Sequence, residues 1–95
     1  MSERSLQNLV VKYLRDEGRF VIKTQAGRGT PIGTPDVITL DQNGHFVGLE
    51  FKDPDPNNKY HVTPEQRHQA NKIIGNGGRW FMIDNFNKFL EIEGI

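Results

Sequence analysis

Cysteine is absent from this chain of 95 residues. Its absence excludes a disulfide framework, a thiolate zinc site and a cysteine nucleophile. No apolar run approaches the roughly 20 residues that a membrane-spanning helix needs. The segment Met1–Ser5 leads directly into an amphipathic pattern and has no apolar signal-peptide core. These absences predict a cytoplasmic protein that contacts no membrane.

The chain also lacks a net charge, since 12 basic side chains balance 12 acidic ones. The charge is unevenly spread, however, because Glu65 is the only acid between Lys59 and Arg79. A solvated surface is the simpler explanation of such a run, but a neutral total also allows a basic face. Four basic side chains are candidate phosphate contacts on that face or on a glycine-rich loop: Arg28, Lys59, Arg67 and Lys72.

The short chain leaves room for one domain, spanning residues 1–95. A chain of this size buries only about 60–65% of its unfolded surface, so self-association would add useful burial. The C-terminal segment also carries more apolar side chains than one short helix needs for docking, at Phe86, Phe89, Leu90, Ile92 and Ile95. We therefore expect a homodimer formed through this segment, with the loop 27–33 as a second candidate.

Apolar periodicity and turn signals predict an α/β fold with a mixed sheet flanked by helices. Thr63 and Gln66 form a capping-box pattern around Pro64, which marks a helix start. The predicted order is αβββαβα: a helix capped by Ser2 or Ser5, strands over 20–22, 36–40 and 45–52, a helix after Thr63, a fourth, buried strand over 80–83, and a last helix opened by Asp84 or Asn85.

The third predicted strand carries the residues most informative about chemistry. Side chains alternate between the two faces of a strand, so Glu50 and Lys52 share one face. The other face carries Val47, Leu49 and Phe51, which can fill the core. Gly48 lies on the same face as Glu50 and is expected to leave open space above the sheet. A carboxylate and an ammonium side by side on a covered face are unusual for purely structural residues.

The turn signal Asn43-Gly44 pairs this strand with the preceding one as a hairpin. Asp36 then comes opposite the end that holds Glu50 and Lys52. Two adjacent carboxylates need a neutralising cation, and Mg²⁺ prefers such oxygen ligands. This geometry suits metal-assisted phosphodiester hydrolysis. The alternative is structural, with Asp36 capping a strand edge and Glu50 and Lys52 forming a surface pair.

The motifs Gly33-Thr-Pro35-Asp36 and Glu50-Phe51-Lys52 resemble the signature of PD-(D/E)xK nucleases, which have a restriction-endonuclease-like core. Within that superfamily the chain looks most like the VRR-NUC (virus-type replication-repair nuclease) domains, and it is similar to archaeal Holliday-junction resolvases. The resemblance covers nearly the whole chain. It implies that Asp36 and Glu50 bind Mg²⁺ or Mn²⁺, that the Phe51 carbonyl is a further ligand, and that Lys52 assists catalysis.

Two further roles follow from the resemblance alone. An acidic residue on the first helix often completes the metal site, which points to Glu3, and a glutamine on the second helix is typical, which points to Gln66. Both have structural alternatives, because Glu3 suits the first turn of a helix and Gln66 completes a capping box.

The resemblance implies a Mg²⁺- or Mn²⁺-dependent DNA endonuclease selective for branched, flapped or four-way DNA in replication, repair or recombination. A bacterial or phage-infected cytosol is the expected setting, and a homodimer would place two sites on two strands. The rival hypothesis is a catalytically inactive nucleic-acid-binding module on the same fold.

Overall fold

The computed structural model describes residues 1–53 and 62–95. Its elements are α1 (Glu3–Asp16), β1 (Val21–Lys23), β2 (Val37–Leu40), β3 (Phe46–Phe51), α2 (Pro64–Gly75), β4 (Arg79–Ile83) and α3 (Phe86–Leu90). The predicted order αβββαβα is confirmed, with ends that differ by one or two residues. No helix within these two ranges is long and apolar enough to cross a membrane. Lys59, one of the candidate phosphate contacts, lies outside the described residues.

The four strands form one mixed sheet in the order β1-β2-β3-β4. The pairs β1–β2 and β2–β3 are antiparallel, and β3–β4 is parallel. The fourth strand differs from the expectation of a buried one, because in the described sheet it is an edge strand and only Ile83 in it is buried. An apolar run of four residues does not show whether a strand has neighbouring strands on both sides or on one side. The sequence therefore could not place this strand at the edge of the sheet.

One face of the sheet carries the main apolar core. In β3 the alternating residues Val47, Leu49 and Phe51 are fully buried against α1 and α3. Ser2 caps α1, because its side chain accepts a hydrogen bond from the amide of Ser5. The helix packs on the sheet through its buried apolar residues, which are Leu6, Val10, Val11 and Leu14.

The C-terminal segment packs on its own chain, so most of its apolar residues are already used in the core. Phe89 and Ile92 are buried in the core, and Phe86 packs against it. Tyr13 of α1 meets the rings of Phe86 and Phe89 edge-on, with centroids 5.7 and 5.6 Å apart. Leu90 is the exception, at 43% exposed. The basis for expecting dimerisation through this segment was therefore wrong.

The other face of the sheet is covered over β3 and β4 by α2. Thr63 and Gln66 form the predicted capping box, with Pro64 in the first turn. The open space expected above Gly48 is filled, because a Cβ there would lie 2.8 Å from Pro35 Cγ and 3.3 Å from Ile73 Cδ1. Gly48 thus permits a close approach of α2, and this approach brings Gln66 down to Glu50.

The β2–β3 hairpin has the register that the sequence predicted. Val37 pairs with Leu49 and Leu40 with Phe46, leaving a connection over 41–45. The Asp41 carboxylate accepts the amides of Asn43 and His45, both at 2.9 Å. Burial raises the pKa of Asp41, but these amides and the Arg79 guanidinium outweigh it and hold the pKa at about 2. The turn is therefore tied to β4, and the opposite end of the hairpin is fixed in register.

Candidate active site

Asp36 and Glu50 face each other at the open end of the hairpin. The backbone amide of Asp36 donates to Glu50 Oε2 at 3.3 Å. In return, the amide of Phe51 donates to Asp36 Oδ2 at 2.9 Å. Each carboxylate is therefore held by an amide at or next to the other acid. The predicted convergence of these two side chains is present in the structure.

Glu50 is a buried acid, with only 2% of its surface exposed. Burial, and next the negative charge of Asp36, raise its pKa from 4.5 to about 7, against the lowering effect of the Lys52 ammonium. Burial also raises the pKa of Asp36, against the hydrogen bond from Phe51 and the charge of Lys52. The structure thus keeps two acids in a place where their ionised forms are costly.

This arrangement predicts a pH-dependent stability of the metal-free protein. A carboxyl with a higher pKa in the folded state holds its proton more tightly there, so the free energy of unfolding falls as pH rises from 4.5 through about 7. For Glu50 the full loss is about 3 kcal/mol. Urea unfolding in chelator at about pH 5 and about pH 8 should show a smaller difference for Glu50→Gln than for the wild type. Equal differences would contradict this origin of the pH dependence.

Lys52 and Glu3 lie within electrostatic reach of this pair. The Lys52 ammonium lowers the pKa of Asp36, Glu50 and Glu3, so its charge lies close enough to act on all three carboxylates. The pKa of Glu3 is raised by burial and then by Asp36, and its backbone amide donates to Asp53 Oδ1. The described residues nevertheless contain no group of three His, Cys, Asp or Glu side chains arranged to hold a metal. Glu3 therefore lies beside the site without completing a three-carboxylate cluster.

Gln66 completes the predicted capping box and also contacts Glu50. Its side-chain oxygen accepts the amide of Thr63 at 3.0 Å, which completes the capping box. Its side-chain nitrogen donates to Glu50 Oε1. A single side-chain amide makes both contacts. The capping box at the start of α2 therefore also positions the Gln66 nitrogen that contacts Glu50 Oε1.

Two residues of the site were missed from the sequence. Thr24 donates to the Asp36 carbonyl through its amide at 2.9 Å and its hydroxyl at 3.1 Å, and the hydroxyl also reaches the Pro35 carbonyl at 2.6 Å. Gln7 lies one turn after Glu3 in α1, and its side-chain nitrogen donates to the Asp36 carbonyl oxygen at 3.4 Å. A first strand extended by two residues would have placed Thr24 opposite Asp36, because Lys23 pairs with Val37.

Three of the four predicted phosphate contacts, Arg28, Arg67 and Lys72, lie among the described residues. Arg28 is exposed on the loop over 25–34. The Arg67 guanidinium lies 5.3 Å from the centre of the Trp80 ring. Lys72 lines a recess with Phe46, at the end of β3 remote from Glu50. Arg67 and Lys72 are five positions apart in α2 and so project about 140° apart.

The donor set fits a hard divalent cation. The two facing carboxylates supply the oxygen ligands that Mg²⁺ and Mn²⁺ prefer, and Mg²⁺ usually takes only one or two carboxylates with water and phosphate. The nearly complete burial of Glu50 beside a second acid leaves a local excess of negative charge that a cation would relieve. Asp36 and Glu50 could therefore hold such a cation when both are ionised.

Comparison with solved structures finds a similar fold. A structure described as a VRR_NUC domain protein has a TM-score of 0.75 and 18% sequence identity, over 97% of this chain and 84% of that chain. Neither protein-family models nor curated protein sequences give a match. An identity this low establishes the fold and leaves the activity to be argued from the site. The chain therefore has the α/β fold of a VRR_NUC domain protein, as the resemblance of its Pro-Asp and Glu-x-Lys motifs predicted.

Proposed function

We propose that this protein is a metal-dependent endonuclease that hydrolyses DNA phosphodiester bonds. The observation that carries the proposal is the meeting of Asp36, Glu50 and Lys52 at one hairpin end, with Glu50 buried and its pKa raised to about 7. A structural ion pair on an exposed edge would explain none of this burial. The fold shared with a VRR_NUC domain protein supports the same activity.

The chain's own residues have separable roles in this proposal. Asp36 and Glu50, with the Phe51 carbonyl, would hold Mg²⁺ or Mn²⁺, which would supply positive charge to the phosphate and acidify water. Gln66 and the amides of Asp36 and Phe51 orient the carboxylate oxygens. Lys52 lies beside the carboxylates, where its ammonium can orient the attacking water or stabilise the charge that develops on the phosphate oxygens.

We propose branched or flapped DNA as the substrate and a homodimer as the active form. Two sites related by a two-fold axis suit paired cuts in a four-way junction. Sedimentation at micromolar concentration should give twice the 10.9 kDa mass of one chain.

A cleavage assay on matched linear, flapped and four-way DNA tests the proposed function. Cutting should require Mg²⁺ or Mn²⁺, stop in chelator, and be faster on the branched substrates than on the linear one. DNA binding without cutting under all metal conditions would favour the rival, an inactive binding module.

A further inference from the structure

The loop that precedes Asp36 displays an apolar side chain on a hydrogen-bonded turn. Ile32 is 80% exposed. The turn is closed by two hydrogen bonds from Thr34 to the Pro31 carbonyl, from the amide at 3.2 Å and from the hydroxyl at 2.6 Å. Gly33, the third residue of the turn, has φ +88°, a backbone conformation that favours glycine. The backbone that carries Ile32 is therefore held on its C-terminal side.

The same turn is anchored against α2. A Cβ on Gly33 would lie 2.3 Å from the Glu65 carbonyl oxygen, so the loop backbone is in close contact with the start of the helix. The next residues, Pro35 and Asp36, are held in turn by Thr24. Ile32 is thus connected to the catalytic pair through backbone that is fixed on both sides.

A cleft lies between Ile32 and Asp36. Its volume is about 440 Å³, and its lining includes Thr24, Thr30, Thr34, Ile32 and Asp36. Among the described residues of the lining, Asp36 is the only charged one. Uncharged hydroxyl and apolar groups suit a nucleobase and its sugar, whereas a phosphate would be held at the end where Asp36 meets Lys52. The volume is within the usual range for small-ligand sites, about 300–1,000 Å³.

We propose that this cleft receives one unpaired nucleotide adjoining the scissile phosphate, and that Ile32 is a wedge that takes the place of that base in the stack. Apolar side chains inserted between base steps separate the bases in this way. An unpaired or mismatched base is extruded at the lowest cost, so a cleft that takes one extruded nucleotide favours DNA with a branch point beside the cut. Ile32 would contribute most where that nucleotide is still paired and stacked. This inference rests on the proposed function, because the nucleotide in the cleft is the one next to the phosphate that Asp36 and Glu50 would bind through the metal.

Binding of DNA labelled with 2-aminopurine tests the wedge without requiring cleavage. The label is scanned through the paired positions next to the branch of a flapped duplex, in complex with Lys52→Ala protein. We expect one position at which binding raises the fluorescence, as an unstacked base does, and loss of this rise with Ile32→Ser. Ile74→Ser is the matched control, because Ile74 is also exposed, at 53%, but lies in α2 outside the cleft lining. An unchanged rise with Ile32→Ser would overturn the proposal.

Cleavage by proteins with intact Lys52 gives the second comparison. Ile32→Ser should slow cutting of a fully paired nicked duplex by roughly tenfold, the loss expected for one stacking contact, and leave cutting of a splayed, unpaired substrate within about twofold. Equal slowing on both substrates would contradict the proposal that Ile32 separates stacked bases. A change in sedimentation mass without a fluorescence difference would contradict it as well. Absence of cutting by the wild type would instead contradict the proposed function, and the fluorescence scan would still decide on the wedge.

Discussion

Replacing Lys52 by alanine is expected to slow DNA cleavage by about a hundredfold to a thousandfold, the usual cost of removing one group that stabilises charge in a transition state. The charge of the Lys52 ammonium acts on the carboxylates of Asp36 and Glu50, so its loss removes positive charge at the reacting phosphate. DNA affinity should change by no more than about twofold, because one charge among several contributes little to phosphate attraction. Single-turnover cleavage and fluorescence anisotropy measure the two quantities.

Lys12→Ala is the matched control for this experiment. Lys12 lies on α1 and pairs with Asp16 at 2.6 Å on an exposed surface, so its replacement removes the same charge away from the site. The control should leave both cleavage and affinity near wild-type values. If Lys52→Ala lowered affinity and cleavage in the same proportion, the binding-module hypothesis would be favoured.

Asp36→Asn is expected to weaken Mn²⁺ binding by more than about a hundredfold, since changes in residues that only support metal ligands already cost about 10–100-fold. The substitution is nearly isosteric, and the asparagine oxygen can still accept the amide of Phe51. The fold should therefore survive, and its melting temperature checks this. Calorimetric titration with Mn²⁺ measures the binding.

Asp16→Asn serves as the control for the metal titration, because Asp16 is an exposed carboxylate at the far end of α1. It should bind Mn²⁺ as the wild type does. Equal binding by wild type and Asp36→Asn would remove the two-carboxylate site from the account.

The parts of the fold that sequence reasoning predicted depend on local rules. Strand alternation placed Glu50 away from the core, and the turn at Asn43-Gly44 set the register that brings Asp36 opposite. The capping box of Thr63 and Gln66 is a pattern confined to four residues. These features were predictable because each is determined by residues that are neighbours in sequence or are joined by one tight turn.

The features that sequence reasoning missed depend on distant contacts. The position of Gly48 in its strand suggests open space, yet Pro35 and Ile73 fill that space from two other parts of the chain. The strand predicted over 20–22 stops short of Thr24, whose hydroxyl donates to the carbonyls of Pro35 and Asp36. The sequence does not show that the apolar C-terminal residues pack against Tyr13 and the buried residues of α1, so these residues appear more numerous than the fold needs. No local pattern reports how closely separate elements approach.

The proposed function requires Asp36 and Glu50 to share one divalent cation next to Lys52. Crystals of the protein grown with Mn²⁺ test this requirement, because anomalous scattering locates the metal independently of its assumed ligands. We predict a manganese peak between the two carboxylates, with the Phe51 carbonyl as a further ligand, and its disappearance in Asp36→Asn crystals. Manganese bound only at other sites, with the Asp36–Glu50 pair left without a peak, would contradict the account.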